Sequence, residues 1–90
     1  MGNLRPIKVK IYYDESLKEI TEKDFEEAVV SGDLNFARLL NFILSSYPEI
    51  QKAFIPGTLG FLLNGRRPEE NDILKDGDDI MFFDCRNKIQ

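Results

Sequence analysis

The stretch that decides the fold is Leu59-Gly60-Phe61-Leu62-Leu63-Asn64-Gly65, followed after a polar connection by Leu74-Lys75-Asp76-Gly77-Asp78-Asp79-Ile80-Met81-Phe82-Phe83. It reads as strand, tight turn, polar connection, second tight turn, strand. Asn64-Gly65 is a strong turn signal, because the turns that join antiparallel strands need positive φ. Successive side chains of a strand point to opposite faces. Ile80 and Phe82 therefore share one face, and Met81 and Phe83 the other. In the earlier strand Leu59, Phe61 and Leu63 oppose Gly60 and Leu62.

Upstream, Phe36, Leu39, Leu40, Ile43 and Leu44 recur at i, i+3, i+4, i+7 and i+8. That period predicts an amphipathic helix over residues 34–46. Asp33 is the candidate N-cap. Pro48 either ends this helix or opens a second short one through Phe54. At the N-terminal end Ile7, Val9, Ile11 and Tyr13 alternate with Lys8, Lys10 and Tyr12, which predicts a half-buried strand. Asp14-Glu15-Ser16 then reads as a turn. Residues 17–31 leave three readings open. Leu17 to Thr21 returns as a strand, or Thr21 and Asp24 cap a short helix, or Glu27-Ala28-Val29-Val30 is itself the second strand.

The sum is an α+β domain of order β-β-α-β-β, a mixed sheet packed on one main helix. Only that packing buries both the helix stripe and a strand face. Residues 1–90 make a single domain, with residues 84–90 expected as a flexible C-terminal tail.

Composition removes whole classes of chemistry. The chain has one cysteine and no histidine. A disulfide framework, a cysteine-ligated cluster or zinc site within one chain, and every histidine-based triad are excluded. The net charge of −4 argues against nucleic acid, which needs a basic surplus on one face. The N-terminus carries no apolar targeting segment and no apolar run approaches a membrane span. The default expectation is a cytoplasmic protein without cofactor or metal. Cys85 is either an exposed nucleophile or an incidental thiol; Asp84 offsets the neighbouring Arg86 and Lys88, and no histidine can act as its base.

The run Leu62-Leu63-Asn64-Gly65, followed by Leu74-Lys75-Asp76-Gly77-Asp78-Asp79-Ile80, resembles the small ubiquitin-like β-grasp sulfur carriers. These are the molybdopterin-synthase small subunit, the thiamine sulfur carrier ThiS and the ubiquitin-related modifier. The resemblance covers residues 34–83 well and residues 7–13 loosely. It implies that the first and last strands are parallel neighbours. It also implies that activating enzymes and synthase large subunits dock on the sheet face that the helix leaves open. Those carriers work through a C-terminal Gly-Gly, and the 90 residues contain no adjacent glycines. The expectation is therefore a non-catalytic, sulfur-carrier-like binding module. The alternative is a genuine sulfur carrier or modifier of molybdopterin, thiamine or tRNA thiolation pathways with an atypical C-terminus. A nucleic-acid-associated β-grasp of the TGS kind is a further reading, which the acidic balance weighs against.

The last two strands are apolar on both faces, and one helix covers one face. The surplus meets either a partner or residues 21–31 folded over it as a lid. The expected partner-binding set is Leu59, Phe61, Leu63, Met81 and Phe83, with Arg66 and Arg67 beyond the turn. Those two arginines are either a solvated tip or a contact for an acidic loop or phosphate. The partner is expected to be a protein resembling an adenylating enzyme or a synthase large subunit, or a second copy of the chain.

Overall fold

The computed structural model describes residues 5–55 and 57–87. The elements are β1 (Ile7–Tyr13), α1 (Glu15–Thr21), β2 (Phe25–Val30), α2 (Phe36–Ser46), α3 (Glu49–Ala53), β3 (Leu59–Leu63) and β4 (Asp79–Asp84), closed by a 3-10 turn over Cys85–Asn87. The strands lie in the order β2-β1-β4-β3. β1 and β4 are parallel at the centre, while β2 and β3 flank them antiparallel. This is the mixed sheet and parallel central pair of a β-grasp.

Residues 17–21 do not return as a strand. They are helical because Asp14 accepts the Leu17 amide at 3.0 Å and so caps α1. Leu17 and Thr21, one turn apart, are its buried positions. Glu22, at φ 63°, closes it with its amide on the Lys18 carbonyl. The apparent turn at Asp14-Glu15-Ser16 is thus a helix start, and the second strand begins at Phe25. Asp33 does not cap α2 either. Its carboxylate takes the Ser31 hydroxyl, while Asn35 accepts the Arg38 amide at 2.9 Å. The helix begins at Phe36 because Leu34 and Phe36 pair instead with the connection before β4. The Phe36 amide reaches the Asp72 carbonyl at 2.8 Å and the Leu74 amide reaches the Leu34 carbonyl at 2.9 Å.

The core lies between the sheet and the three helices. β1 gives Val9, Ile11 and Tyr13, β4 gives Ile80 and Phe82, and α2 gives Phe36, Leu39 and Ile43. Leu40 and Leu44 flank that stripe half-buried. Phe82 is at the centre, edge-on to Phe61 at 5.3 Å and to Tyr13 at 6.1 Å between ring centroids. Such pairs add to simple burial through the ring quadrupoles.

β4 runs through Asp84, which is buried, so the tail expected from residue 84 does not begin there. Asp14 accepts the Asp84 amide at 2.8 Å with its second carboxylate oxygen. Asp84 in turn accepts the Arg86 backbone amide and Nε, both at 2.9 Å. That guanidinium holds the Asp84 carboxyl below the usual range. Lys88, Ile89 and Gln90 lie outside the described residues.

Edge strand β2 turns one carboxylate toward the helices. Glu26 accepts the Tyr13 hydroxyl, the Tyr47 hydroxyl at 3.0 Å and Lys23 Nζ at 3.0 Å. Burial opposes its ionisation, but the three donors outweigh burial and its pKa is lowered. Burial, reinforced by Glu26, pushes the Tyr13 hydroxyl far upward. A carboxyl with a depressed folded pKa stabilises the fold above its unfolded pKa and loses that contribution as pH falls through the folded value. Thermal melts should therefore show a loss of stability below about pH 4.3, the unfolded glutamate value. Glu26→Gln should flatten that acid limb and cost about 1–3 kcal/mol at neutral pH, since two tyrosine hydroxyls lose a charged acceptor. Equal acid limbs in the two proteins would refute this role.

Candidate functional site: the open face of the sheet

The registers assign every strand residue to a face. β3 and β4 place Phe61 opposite Phe82, Leu63 opposite Ile80, Leu62 opposite Met81 and Gly60 opposite Phe83. Directly opposed residues share a face. Leu59, Phe61 and Leu63 therefore point toward the helices, with Ile80 and Phe82, and do not join Met81 and Phe83. The alternation along each strand is as the sequence indicates. The relative phase of the two strands comes from their pairing, which a one-step shift would invert. Leu59 and Phe61 instead line an apolar depression on the helical side with Leu44, Phe54 and Ile55.

The open face comprises Met81 and Phe83 from β4, Leu62 from β3, Tyr12 and Lys10 from β1, and Phe25 and Val29 from β2. Among the described residues no helix or strand covers it. Residues 21–31 do not fold over it as a lid, because their strand extends the sheet instead. Phe25 is 47% exposed, Val29 68% and Met81 36%. Tyr12, Leu62, Gly65, Asp79 and Met81 line a shallow depression at its centre. Phe83 is only half-buried against its neighbours, and its ring lies across Gly60. A Cβ on Gly60 would come within 2.5 Å of that ring and 2.8 Å of Cys85 Sγ, so the glycine makes room for the aromatic side chain.

Charge on this face is sparse and balanced. Lys10 Nζ lies 5.0 Å from the Phe25 ring centroid and 5.8 Å from that of Tyr12, a cation–π cluster. Lys8 sits 3.9 Å from Glu27. Tyr12, Phe25, Leu62 and Val29 were missing from the sequence-derived set. The available signal was the out-of-phase position of Tyr12 in the β1 alternation; that of β2 was hidden by the open reading of residues 17–31.

Arg66 and Arg67 lie beyond the Asn64-Gly65 turn, both exposed. Arg66 pairs with Asp72 at 3.3 Å and its amide bonds back to the Leu63 carbonyl at 3.0 Å. Asp78 accepts the Asn64 side-chain amide at 2.9 Å and the Lys75 backbone amide at 2.8 Å. Its carboxylate is thus a turn former. Among the described residues no group of His, Cys, Asp or Glu side chains could hold a metal ion, and no helix is long and apolar enough to cross a membrane.

No family model matches the chain, and no curated protein does. Solved structures of the same fold do. A putative molybdopterin converting factor, subunit 1, from Pyrococcus furiosus superposes with a TM-score of 0.78 at 21% identity, over 87% of this chain and 97% of that one. The small archaeal modifier protein 1 of H. volcanii gives 0.74 at 15% identity, over 87% and 97%. Its namesake from Methanosarcina acetivorans gives 0.72 at 17% identity, over 94% and 99%. The fold is the ubiquitin-like β-grasp that the resemblance implied.

Proposed function

We propose that this β-grasp domain, built like the small archaeal modifiers and the molybdopterin converting factor subunit, is a non-catalytic module that docks on a protein partner through its open sheet face. One observation carries the reading. Met81, Leu62, Tyr12, Phe25 and Val29 form an apolar surface that no helix or strand among the described residues covers. Contiguous exposed apolar area of this kind marks interaction sites. Met81 and Phe83 stay in the proposed site. Leu59, Phe61 and Leu63 leave it, because they face the helices.

The second reading is a sulfur carrier or modifier, and the likeness to proteins named for those roles favours it. The 90 residues hold no adjacent glycines, so within them no Gly-Gly is present for that chemistry. One experiment separates the two. Native lysate is passed over the wild-type chain and over Met81→Asp and Leu62→Asp. Met81→Asp should remain folded and lose the captured partner, with binding weakened by about tenfold or more, since interface energy concentrates in a few central side chains. Equal capture by all three sinks the docking reading. Capture of an adenylating enzyme, with a thiocarboxylate or acyl-adenylate found on the chain by mass spectrometry, moves the conclusion to the carrier reading.

A further inference from the structure

A second surface, which shares only Val29 with the open sheet face, lies where edge strand β2 runs beside α2. Val29, Val30, Leu34 and Phe42 line an apolar groove there, with Arg38, Asn41 and Ser45 along the helix. Phe42 is 57% exposed, although it is the largest apolar side chain on the solvent side of α2. The Tyr13 amide bonds to the Asp24 carbonyl at 2.9 Å, which fixes the hydrogen-bonding phase of the β1–β2 ladder. By antiparallel alternation the amides and carbonyls of Phe25, Glu27 and Val29 then point away from β1, along the free edge. Arg38 is the one charged residue of α2, and among the described residues it makes no ion pair.

We propose that this groove binds an extended segment of a partner protein, apolar at alternate positions and carrying an Asp or Glu for Arg38. Each part of that description answers a feature of the groove. An edge ladder is satisfied by another extended backbone, not by a helix, whose amides and carbonyls are already paired. Strand alternation brings every second side chain of the segment down onto Val30, Leu34 and Phe42. A carboxylate completes the unpaired guanidinium in bidentate geometry. Arg38 stands in the first turn of α2, so the acidic residue lies at the end of the groove where β2 passes into the helix. A second copy of β2 fits poorly. The carboxylate that it would present on the helical side is Glu26, which already accepts Tyr13, Tyr47 and Lys23.

The test uses the whole chain and two labelled synthetic octapeptides of alternating valine and threonine. One ends in two glutamates and the other in two lysines. Anisotropy gives affinity, and amide chemical shifts give location. The glutamate peptide should saturate, with shifts at Phe25, Glu27, Val29 and α2, and the lysine peptide should bind about tenfold more weakly or worse. Arg38→Glu should reverse that preference while leaving the spectrum of the free protein folded. Phe42→Asp, at an exposed position, should abolish binding of both peptides. Neither variant should alter capture of a partner through the open face. The proposal is overturned by no saturable shift at about 1 mM peptide. Shifts confined to Tyr12 and Met81, or an unchanged preference in Arg38→Glu, also overturn it. Concentration-dependent shifts of the β2 amides without peptide assign the groove to a second copy and overturn it as well.

Discussion

Phe82→Asp is expected to abolish the folded state, whereas Met81→Asp, one residue earlier, leaves it intact. Phe82 is fully buried and touches Phe61 and Tyr13 edge-on. Truncating a buried phenylalanine alone costs about 3–5 kcal/mol. The aspartate adds the cost of an unpaired charge in an apolar interior. A domain of this size holds only about 5–15 kcal/mol against unfolding. Met81 lies on the opposite face, where a carboxylate meets water. Far-ultraviolet circular dichroism and a proton–nitrogen correlation spectrum of each variant check the contrast. A folded Phe82→Asp protein, or an unfolded Met81→Asp protein, would mean that the face assignment is inverted.

The second large effect concerns α2. Leu39→Ala should destabilise the domain by about 2–5 kcal/mol, in the upper half of the range for buried leucines that leave a cavity. Leu40→Ala should cost clearly less, because Leu40 is half-buried at the margin of the stripe while Leu39 is fully enclosed. Urea midpoints at constant m-value measure both. Equal losses at the two positions would show that the helix is rotated from the orientation described.

These contrasts turn on what a sequence encodes directly and what it leaves to pairing. Period-2 and period-3.6 patterns are local, so β1, β3, β4 and α2 were readable, whereas Pro48 left open whether a short helix follows it. The parallel β1–β4 neighbourhood came through resemblance. The failures share a physical cause. At Asp14 and at Asn35 a side chain able to serve a turn or a cap took the cap, and tertiary contacts at Leu17 and Asp72 decided which. The phase between β3 and β4 depends on which residues face each other across the turn. Leu59, Phe61 and Leu63 were therefore placed with Met81 and Phe83, although the pairing of Phe61 with Phe82 puts them inside. The aromatic half of the open face, Tyr12 and Phe25, became visible only with the register of β2.

The central parallel pair also has a mechanical meaning. β1 enters the sheet at one end and β4 leaves it at the other, with neighbouring residues such as Ile11 and Ile80 in register. Tension applied between the two ends of the domain pulls these strands in opposite directions along their own length. Their evenly spaced hydrogen bonds are then loaded together, in shear, rather than one after another as in a peeled hairpin. The Asp14 contact to the Asp84 amide braces the end of the same seam. The domain is thus arranged to transmit a pull along its length while resisting being drawn apart.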